Sequence, residues 1–343
     1  MKRLLNTLYV TTRDTKLRVS NNAIVCERPN EEQEIRILSH TIESILCFGN
    51  TSVTTPLIQF CGEKGIALSF FSEYGRFYGR VTGPTQGNIL LRRAQFHLLD
   101  AEPERRLHIV RAILGAKLRN AREVLVRGLR EHASEDAQMI LADSIQTIKK
   151  YAERLAGTSE IETMRALEGL AAAEYFKGFA QLIGRDTGMK FSGREKRPPK
   201  DKVNSLMSYL YTLLANDVQS ALESVGLDVA CGFLHSLRPG KPALALDVME
   251  ELRAPLCDRV VLALINRKQI GNESFVENDG LFFLTKPARR VVLATWQKRK
   301  QEEIMHPVLK ERIPIGLIPF AQAQLLARTV RGEADAYVPM RWR

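Results

Sequence analysis

Short runs of alternating apolar and polar residues dominate the first 83 residues, and such alternation is typical of β-strands. Within TKLRVSNNAIVCE (15–27), the pair Asn21-Asn22 separates two of these runs and predicts a hairpin. The stretch SVTTPLIQFCGEKG (52–65) breaks the alternation and predicts a short helix with Gly65 as its C-cap. The other strand-like runs are LYVTT (8–12), EIRILSHTIESILCFG (34–49), IALSFFS (66–72) and FYGRVTG (77–83). Residues 1–83 are therefore predicted to form a compact β-rich domain.

The pattern changes after GPTQGN (83–88), whose composition predicts a linker over residues 84–88. From residue 89 to about residue 330, apolar residues recur with the spacing of a helix and charged residues occupy the outer faces. We therefore predict an α+β fold. In it, the N-terminal β-rich domain is followed by a larger all-α domain over residues 89–343.

The excess of basic residues indicates a polyanionic partner. Lys and Arg number 50 against 39 Asp and Glu, which gives a formal net charge of +11. Cations placed at phosphates release condensed counterions, so an excess of this size favours nucleic acid, although many basic proteins bind none. A membrane-surface protein fits less well, because the chain has no long basic amphipathic helix with an aromatic apolar face.

Composition and length predict a soluble, cytoplasmic protein. The start, MKRLLNTLYVTT, is interrupted by polar residues too early for a signal peptide, and no stretch approaches the roughly 20 apolar residues of a membrane span. The five cysteines are odd in number, scattered and without a CxxC pair, which argues against a disulfide framework or a zinc site. We expect them to be reduced and partly buried.

A histidine and two carboxylates lie on either side of a predicted turn. His235 precedes the breaker run RPGKP (238–242), and ALALDVMEELR (243–253) predicts a helix that presents Asp247 and Glu250 on one face. The turn lets His235 fold back toward that face. Imidazole together with carboxylate oxygens is a ligand set for Mn²⁺ or Mg²⁺ more than for zinc.

A third carboxylate comes from SEIETMRALEGLAAAEYF (159–176), which opens with a predicted capping box of Ser159 and Glu162. Glu168 shares its helix face with small and apolar residues, where an ionised carboxylate is costly to bury unless it is paired or bound to a metal. Simpler explanations stay open. Asp247 and Glu250 could pair with Arg253, His235 could be a satisfied core histidine, and Glu168 could face water.

The segment GRDTGMKFSGREKRPPKD (184–201) concentrates glycine, proline and charge between two helical regions. Charge runs usually face water, so a solvated loop is the simpler interpretation. The functional alternative is a mobile arm that contacts phosphate.

Several motifs carry a resemblance to a known family. They include EGLAAAEYF (168–176), REKRPPKDKVNSLMSYLYTLL (194–214) and GFLHSLRPGKPALALDVMEELRAPLCDRVVLALINRKQI (232–270). LYVTT, residues 56–83, GNILLRRAQFHLL (87–99) and GLIPFAQAQLLARTVRG (316–332) match as well. Over essentially its whole length the chain resembles the CRISPR-associated spacer-acquisition integrases, the Cas "one" family. The ending and LALDVMEELRAPL look most like the subtype I-C branch.

This resemblance implies a β-rich dimerisation domain, a catalytic helical domain and a homodimer. Family members integrate short DNA fragments into a CRISPR array, as two dimers bridged by a dimer of the small Cas "two" protein. The reaction is a transesterification in which a DNA 3′-hydroxyl attacks a phosphodiester of the array, and the reverse reaction resolves branched DNA. Double-stranded DNA, both protospacer and repeat, is thus the expected substrate.

Carried over residue by residue, the resemblance makes Glu168, His235 and Glu250 the ligands of Mg²⁺ or Mn²⁺. It makes Asp247 a further catalytic carboxylate, which would orient a ligand, a water or a second ion. Some branches of the family have aspartate where this chain has Glu250. Asn204 and Tyr209 match the RPPxDxxN region and receive a supporting role. With this context, five cations become candidate contacts to the DNA backbone, although a solvated position remains open for each. They are Arg194, Lys196, Arg197, Arg238 and Lys241.

Two other functions stay open at this point. A hydrolytic metal-dependent endonuclease would keep the ligands and activate water instead of a DNA hydroxyl. A non-catalytic DNA-binding scaffold would rely on the net charge alone, but it leaves the three candidate ligands unexplained.

Overall fold

The computed structural model describes residues 7–29, 31, 33–74, 76–81, 83, 89–131, 135–195 and 199–342. The predicted linker at residues 84–88 lies outside them. The chain packs as two compact units. The first comprises residues 1–86, 289–302 and 314–317, and the second comprises residues 87–288, 303–313 and 318–343.

The first unit contains two four-stranded sheets, with strand orders β1-β5-β7-β8 and β4-β3-β2-β6. The strands are β1 (Thr7–Val10), β2 (Thr15–Ser20), β3 (Ala23–Glu27), β4 (Ile35–Leu38), β5 (Ser44–Phe48), β6 (Thr51–Val53), β7 (Ala67–Phe71) and β8 (Phe77–Val81). The predicted hairpin is confirmed. Ser20 pairs with Ala23, and Asn21 and Asn22 both have positive φ, at 48° and 58°, as a two-residue turn requires.

The predicted helix of this unit is also confirmed. It is α1 (Thr55–Lys64), and Gly65 ends it with a φ of 66° in the left-handed region. The apolar positions of the strands and of α1 meet in one core, which includes Leu17, Ile24 and Leu57 with no exposed surface.

Helices form most of the second unit. They are α2 (Ile89–Ala101), α3 (Pro103–Glu131), α4 (Glu135–Gly157), α5 (Ile161–Gln181), α6 (Lys202–Val225), α7 (Ala243–Met249), α8 (Arg259–Asn266) and α10 (Ile318–Val330). Most of the remaining helix, α9 (Lys286–Gln301), belongs to the first unit. The helices α3, α4 and α5 pack against one another, and α6 packs against α7 and α10. In the described residues, no helix is both long enough and apolar enough to cross a membrane.

The predicted fold class is confirmed: a β-rich N-terminal region precedes a larger helical part. Two short ribbons interrupt the helices, one of β9 (Phe275–Asn278) and β10 (Leu281–Leu284), the other of β11 (Glu303–Met305) and β12 (Arg312–Pro314). Residues 289–301, most of α9, pack with the first unit although they follow the helical region in sequence. The five cysteines are buried and free.

Two local predictions are wrong. The capping box of Ser159 and Glu162 does not form, because α5 begins at Ile161 after an extended Glu160. Thr163 then donates a hydrogen bond to the Glu160 carboxylate, and Glu162 pairs with Arg165 instead.

The helix predicted over residues 243–253 also ends early, at Met249. A π-helical turn follows at Arg253–Asp258 and contains Pro255. Proline has no N–H and its ring clashes with the carbonyl four residues earlier, which is that of Glu251. The regular helical hydrogen bonds are therefore interrupted next to Glu250.

Candidate active site

Asp247 fixes the turn that carries the histidine. Its side chain has no exposed surface, and its carboxylate accepts hydrogen bonds from the backbone N–H groups of Phe233, Leu234 and His235 at 2.6, 2.9 and 2.9 Å. The chain therefore folds back from the turn onto α7, as predicted. Gly232 is required for this approach, since a Cβ there would lie 2.7 Å from the carbonyl carbon of Ala243.

The same carboxylate orients the imidazole. His235 Nδ1 lies 2.6 Å from Asp247 Oδ1, and the Nε2 atom on the other side of the ring lies 3.9 Å from Glu250 Oε1. A carboxylate partner at Nδ1 favours the tautomer with the proton on Nδ1, which leaves the Nε2 lone pair directed toward Glu250. The Asp247 carboxylate therefore serves to hold and orient His235.

Glu168 and Glu250 come from separate elements and converge on one cation. Glu168 lies on α5, and Glu250 follows the last residue of α7. Lys117 of α3 donates to Glu168 Oε1, and its Nζ lies 2.6 Å from Glu250 Oε2. Of the three ligands that the sequence predicts, Glu250 therefore lies beside His235 and shares the Lys117 ammonium group with Glu168.

Glu250 remains ionised despite being buried. Burial opposes its charge, but Arg253 and Lys117 attract the carboxylate more strongly and lower its pKa to about 2. Arg253 Nη1 lies 2.9 Å from Glu250 Oε1. The pairing of Glu250 with Arg253 that the sequence left open is therefore present, beside the convergence on Lys117.

A second group of charges and aromatic rings, partly buried, adjoins this one. The guanidinium groups of Arg253 and Arg194 both lie 5.2 Å from the ring centroid of Tyr211. Tyr211 and Tyr175 donate hydrogen bonds of 2.7 and 2.8 Å to Asp258. Burial raises the pKa of Asp258 to about 6, although both hydroxyls oppose that rise.

All of these groups except His235 and Asp247 line a cavity of about 460 Å³. Small and apolar residues of α5, among them Ala172 and Phe176, form another part of its wall. Carboxylates, cations and apolar surface thus meet in one concave site, which is the usual character of a ligand-binding pocket.

The candidate DNA contacts differ in position. Arg238 is exposed and Lys241 is half-buried beside the His235 turn. Arg194 is engaged within the protein: its Nη1 donates to Asn204 Oδ1 at 2.7 Å and its Nη2 donates to Ser208 Oγ at 3.1 Å. Lys196 and Arg197 lie outside the described residues.

Asn204, predicted only as a supporting residue, holds residues 193–195 in place. Its Nδ2 donates to Gly193 O at 2.8 Å, and its Oδ1 accepts from Glu195 N at 3.1 Å as well as from Arg194. It therefore positions Arg194 against Tyr211.

The chemistry of the donor set fits the predicted ion. The candidate ligands are two carboxylates and one imidazole, and the Nδ1 atom of that imidazole is hydrogen-bonded to Asp247. Ligands of these chemical types suit Mg²⁺ or Mn²⁺. Glu250 Oε2 is buried and receives no well-directed hydrogen bond, although Lys117 Nζ is close, so its lone pairs remain available to a cation. No three His, Cys, Asp or Glu side chains among the described residues already surround a common point. Lys117 would therefore withdraw to admit the ion.

Sequence reasoning missed Lys117, Tyr211 and Asp258. Lys117 had a signal: Leu114 and Ala121, three residues before it and four after it on the same face of α3, are both buried. A lysine on a core-facing stripe needs a carboxylate partner. Tyr211 and Asp258 had no comparable signal, because their pairing joins distant parts of the chain.

The fold and this site define a class of protein, a two-unit α+β protein with a cavity in its helical part that is lined by both carboxylates and cations. Solved structures share the fold. A CAS1 protein from Thermotoga maritima has a TM-score of 0.79 at 21% identity, covering 96% of this chain and 97% of that one. A casposase bound to integration product has a TM-score of 0.83 at 20% identity, covering 99% and 95%.

Sequence comparisons identify the family. A protein-family model described as CRISPR associated protein Cas1 matches residues 8–298. A CRISPR-associated endonuclease Cas1 of Rhodospirillum rubrum is 44% identical over 349 residues, with 100% of both chains covered. A CRISPR-associated endonuclease Cas1 of Moorella thermoacetica is 42% identical over 342 residues, with 99% of each covered. The chain belongs to the Cas1 family.

Proposed function

We propose that this protein is a metal-dependent DNA integrase of CRISPR adaptation. It joins the 3′-hydroxyl ends of short DNA fragments to the CRISPR array by transesterification, and it processes branched DNA by the same chemistry. One observation carries the proposal: Glu168 and Glu250, on separate elements, converge on a single cation with His235 Nε2 beside them. Membership of the Cas1 family supports it.

The chain's own residues prepare the site for an ion. Glu168, His235 and Glu250 would hold Mg²⁺ or Mn²⁺, which supplies Lewis acidity that activates a hydroxyl and stabilises charge on phosphorus oxygens. Asp247 keeps the Nδ1 proton of His235 in place, so that Nε2 offers its lone pair. Arg253 keeps Glu250 ionised. The positive charge of Lys117 and Arg253 favours a phosphate at this end of the cavity.

Transesterification balances without a further reactant. The attacking 3′ oxygen loses its proton and forms a bond to phosphorus, and the bond from phosphorus to the 3′ oxygen of the array strand breaks. That leaving oxygen takes up a proton. The number of phosphodiester bonds is unchanged, so no high-energy cofactor is needed.

The partners follow from the same proposal. The substrates are double-stranded DNA, protospacer and CRISPR repeat, and the assembly is two homodimers bridged by a dimer of Cas2. A solved structure named a Cas6-RT-Cas1–Cas2 complex supports Cas2 as a partner. It has a TM-score of 0.82 to this chain at 23% identity, over 100% of this chain and 36% of that one. We further propose that the protein belongs to subtype I-C and works in the cytoplasm.

Hydrolytic cleavage of DNA is the second candidate function. The curated relatives are named endonucleases, and the same ligands serve water activation. A non-catalytic scaffold ranks below both, because it has no use for an ionised, buried Glu250.

The length of the product strand separates these functions. A labelled branched DNA that mimics half-site integration is incubated with purified protein and Mn²⁺, with or without EDTA. Integrase chemistry yields a longer, rejoined strand that disappears in EDTA. A shortened strand alone would indicate hydrolysis, and no change in any strand would indicate a scaffold.

A further inference from the structure

The C-terminal segment after α10 is irregular but closely packed. Tyr337, Met340 and Trp342 are buried, with relative exposures of 4%, 1% and 6%, whereas Val338 is 44% exposed and Arg341 is exposed as well. The buried side chains hold residues 337–342, called the C-terminal tail from here on, against the second unit. One side of the tail therefore packs against the protein, and residues outside the tail hold it by hydrogen bonds.

Glu251 provides one attachment point, and it is the neighbour of Glu250. Its side chain has no exposed surface. Its Oε1 accepts hydrogen bonds from Tyr337 Oη at 2.7 Å and Gln322 Nε2 at 3.1 Å, and its Oε2 accepts one from Met340 N at 2.8 Å. Two of the three donors to this buried carboxylate therefore belong to the tail.

Asn120 provides the other attachment point. Its Nδ2 donates to the carbonyl oxygens of Glu251 and Met340 at 2.7 and 2.9 Å, and its Oδ1 accepts from Trp342 N at 2.8 Å. Asn120 lies one turn after Lys117 on α3. The same helix therefore contacts Glu250 through Lys117 and holds the backbone of Glu251 and the tail through Asn120.

These hydrogen bonds take the place of regular helical hydrogen bonds, which are interrupted between α7 and the π-helical turn. The Glu251 carbonyl lies four residues before Pro255, which cannot donate to it. Glu250 follows the last residue of α7 and precedes the π-helical turn, so regular helical hydrogen bonds do not fix its backbone on both sides. Asn120 and the tail satisfy the freed backbone and side-chain groups, and they limit how far Glu250 can move.

We propose that the C-terminal tail is a positioning element of the active site, which fixes the Glu250 carboxylate through Glu251 and Asn120. The inference rests on the proposed function for its consequence in catalysis. Its structural part, that the tail fixes residues 250–252, is independent of which reaction the site performs.

Tyr337→Phe tests the inference with a minimal change, because it removes only the hydroxyl that donates to Glu251. Val338→Ala is the matched control, since it alters an exposed side chain of the same tail. The readouts are hydrogen–deuterium exchange of a peptide containing residues 250–252, Mn²⁺ affinity by calorimetry, kcat and KM for strand rejoining, and the unfolding temperature. Asn120→Ala is the second variant, because it releases the tail from α3.

A positioning role predicts faster exchange in the 250–252 peptide and about tenfold weaker Mn²⁺ binding for both substitutions, with kcat about tenfold lower and KM for DNA unchanged. Val338→Ala should match the unsubstituted protein. A lower unfolding temperature without a change in exchange, Mn²⁺ affinity or kcat would show a purely structural tail and overturn the inference. If unsubstituted protein rejoins no strand while exchange and Mn²⁺ affinity still respond, the proposed function fails and the positioning role stands.

Discussion

His235 and Asp247 are joined by a hydrogen bond of 2.6 Å between Nδ1 and Oδ1, and Asp247 also holds the backbone N–H of the same histidine. One carboxylate therefore fixes the position, tautomer and direction of the imidazole. Such a partner usually changes metal affinity or activity by about 10- to 100-fold when it is removed.

Asp247→Asn should accordingly lower strand rejoining by about 10- to 100-fold and raise the Mn²⁺ concentration needed for half-maximal rate. The amide can hold only part of the hydrogen-bond network, because its nitrogen faces N–H donors. The measurement is a Mn²⁺ titration of the rejoining rate. Asp100→Asn, at an exposed position of α2, serves as the control. Equal Mn²⁺ dependence in the two variants would show that Asp247 does not act through the histidine.

Lys117→Met should destabilise the protein when no divalent ion is present. Glu168 and Glu250 would then face each other without the ammonium group, at a cost of about 3 kcal/mol. A bound divalent ion restores the missing charge, so Mn²⁺ should raise the unfolding temperature of this variant more than that of the unsubstituted protein.

The comparison is thermal unfolding in EDTA and in Mn²⁺. Lys149→Met is the control, because Lys149 pairs with Glu153 on the exposed face of α4 and should change stability by less than about 0.5 kcal/mol. An identical gain from Mn²⁺ in the Lys117 variant and the unsubstituted protein would contradict a shared position for lysine and ion.

Arg238→Ala and Lys241→Ala should weaken DNA binding equally for all sequences and make it less sensitive to salt. Removing one cation from a phosphate reduces the slope of log K against log salt concentration by about 0.9. Arg194→Ala should leave that slope unchanged and lower stability instead, since Arg194 bonds Asn204. The measurement is DNA affinity over a range of salt concentrations, with exposed Lys310→Ala as the control. Unchanged slopes for both Arg238 and Lys241 variants would remove them from the DNA interface.

Asp258 makes stability depend on pH in a predictable direction. Burial raises its pKa from 3.8 to about 6, so between these values the folded protein binds more protons than the unfolded chain. The contribution of Asp258 to stability therefore falls as pH rises from about 4 to about 7, by about 3 kcal/mol. Asp258→Asn should remove this component. Urea unfolding at pH 4 and pH 7 tests it, and parallel pH profiles for the two proteins would contradict the expected pKa.

Local signals in the sequence predicted local structure well. Asn21 and Asn22 supply the positive φ angles of a two-residue turn, and Gly65 supplies the left-handed residue that ends α1, so both elements follow from neighbouring residues alone. The same reasoning failed at Ser159, because α5 begins one residue later, after Glu160, and no side chain caps it there. Helix ends are decided by small differences between competing caps.

Contacts between distant parts of the chain were not predictable in this way. Helical periodicity shows that α9 has an apolar face, but it does not show that residues 289–301 pack with the first unit. Chemistry and resemblance predict Glu168, His235 and Glu250 as ligands. The core-facing position of Lys117 indicates that it needs a carboxylate partner. Which carboxylates it meets depends on the packing of α3 beside α5 and the π-helical turn, which the sequence pattern does not show.

The central claim is that Glu168, His235 and Glu250 hold the ion on which strand rejoining depends. Calorimetric titration of Mn²⁺ tests it most directly, on unsubstituted protein, Glu168→Gln, Glu250→Gln and the control Glu174→Gln on α5, each also assayed for the rejoined strand. We expect both ligand variants to bind Mn²⁺ at least about tenfold more weakly and to lose the rejoined strand, whereas the control retains both. Unchanged Mn²⁺ affinity and unchanged rejoining in the ligand variants would contradict the account.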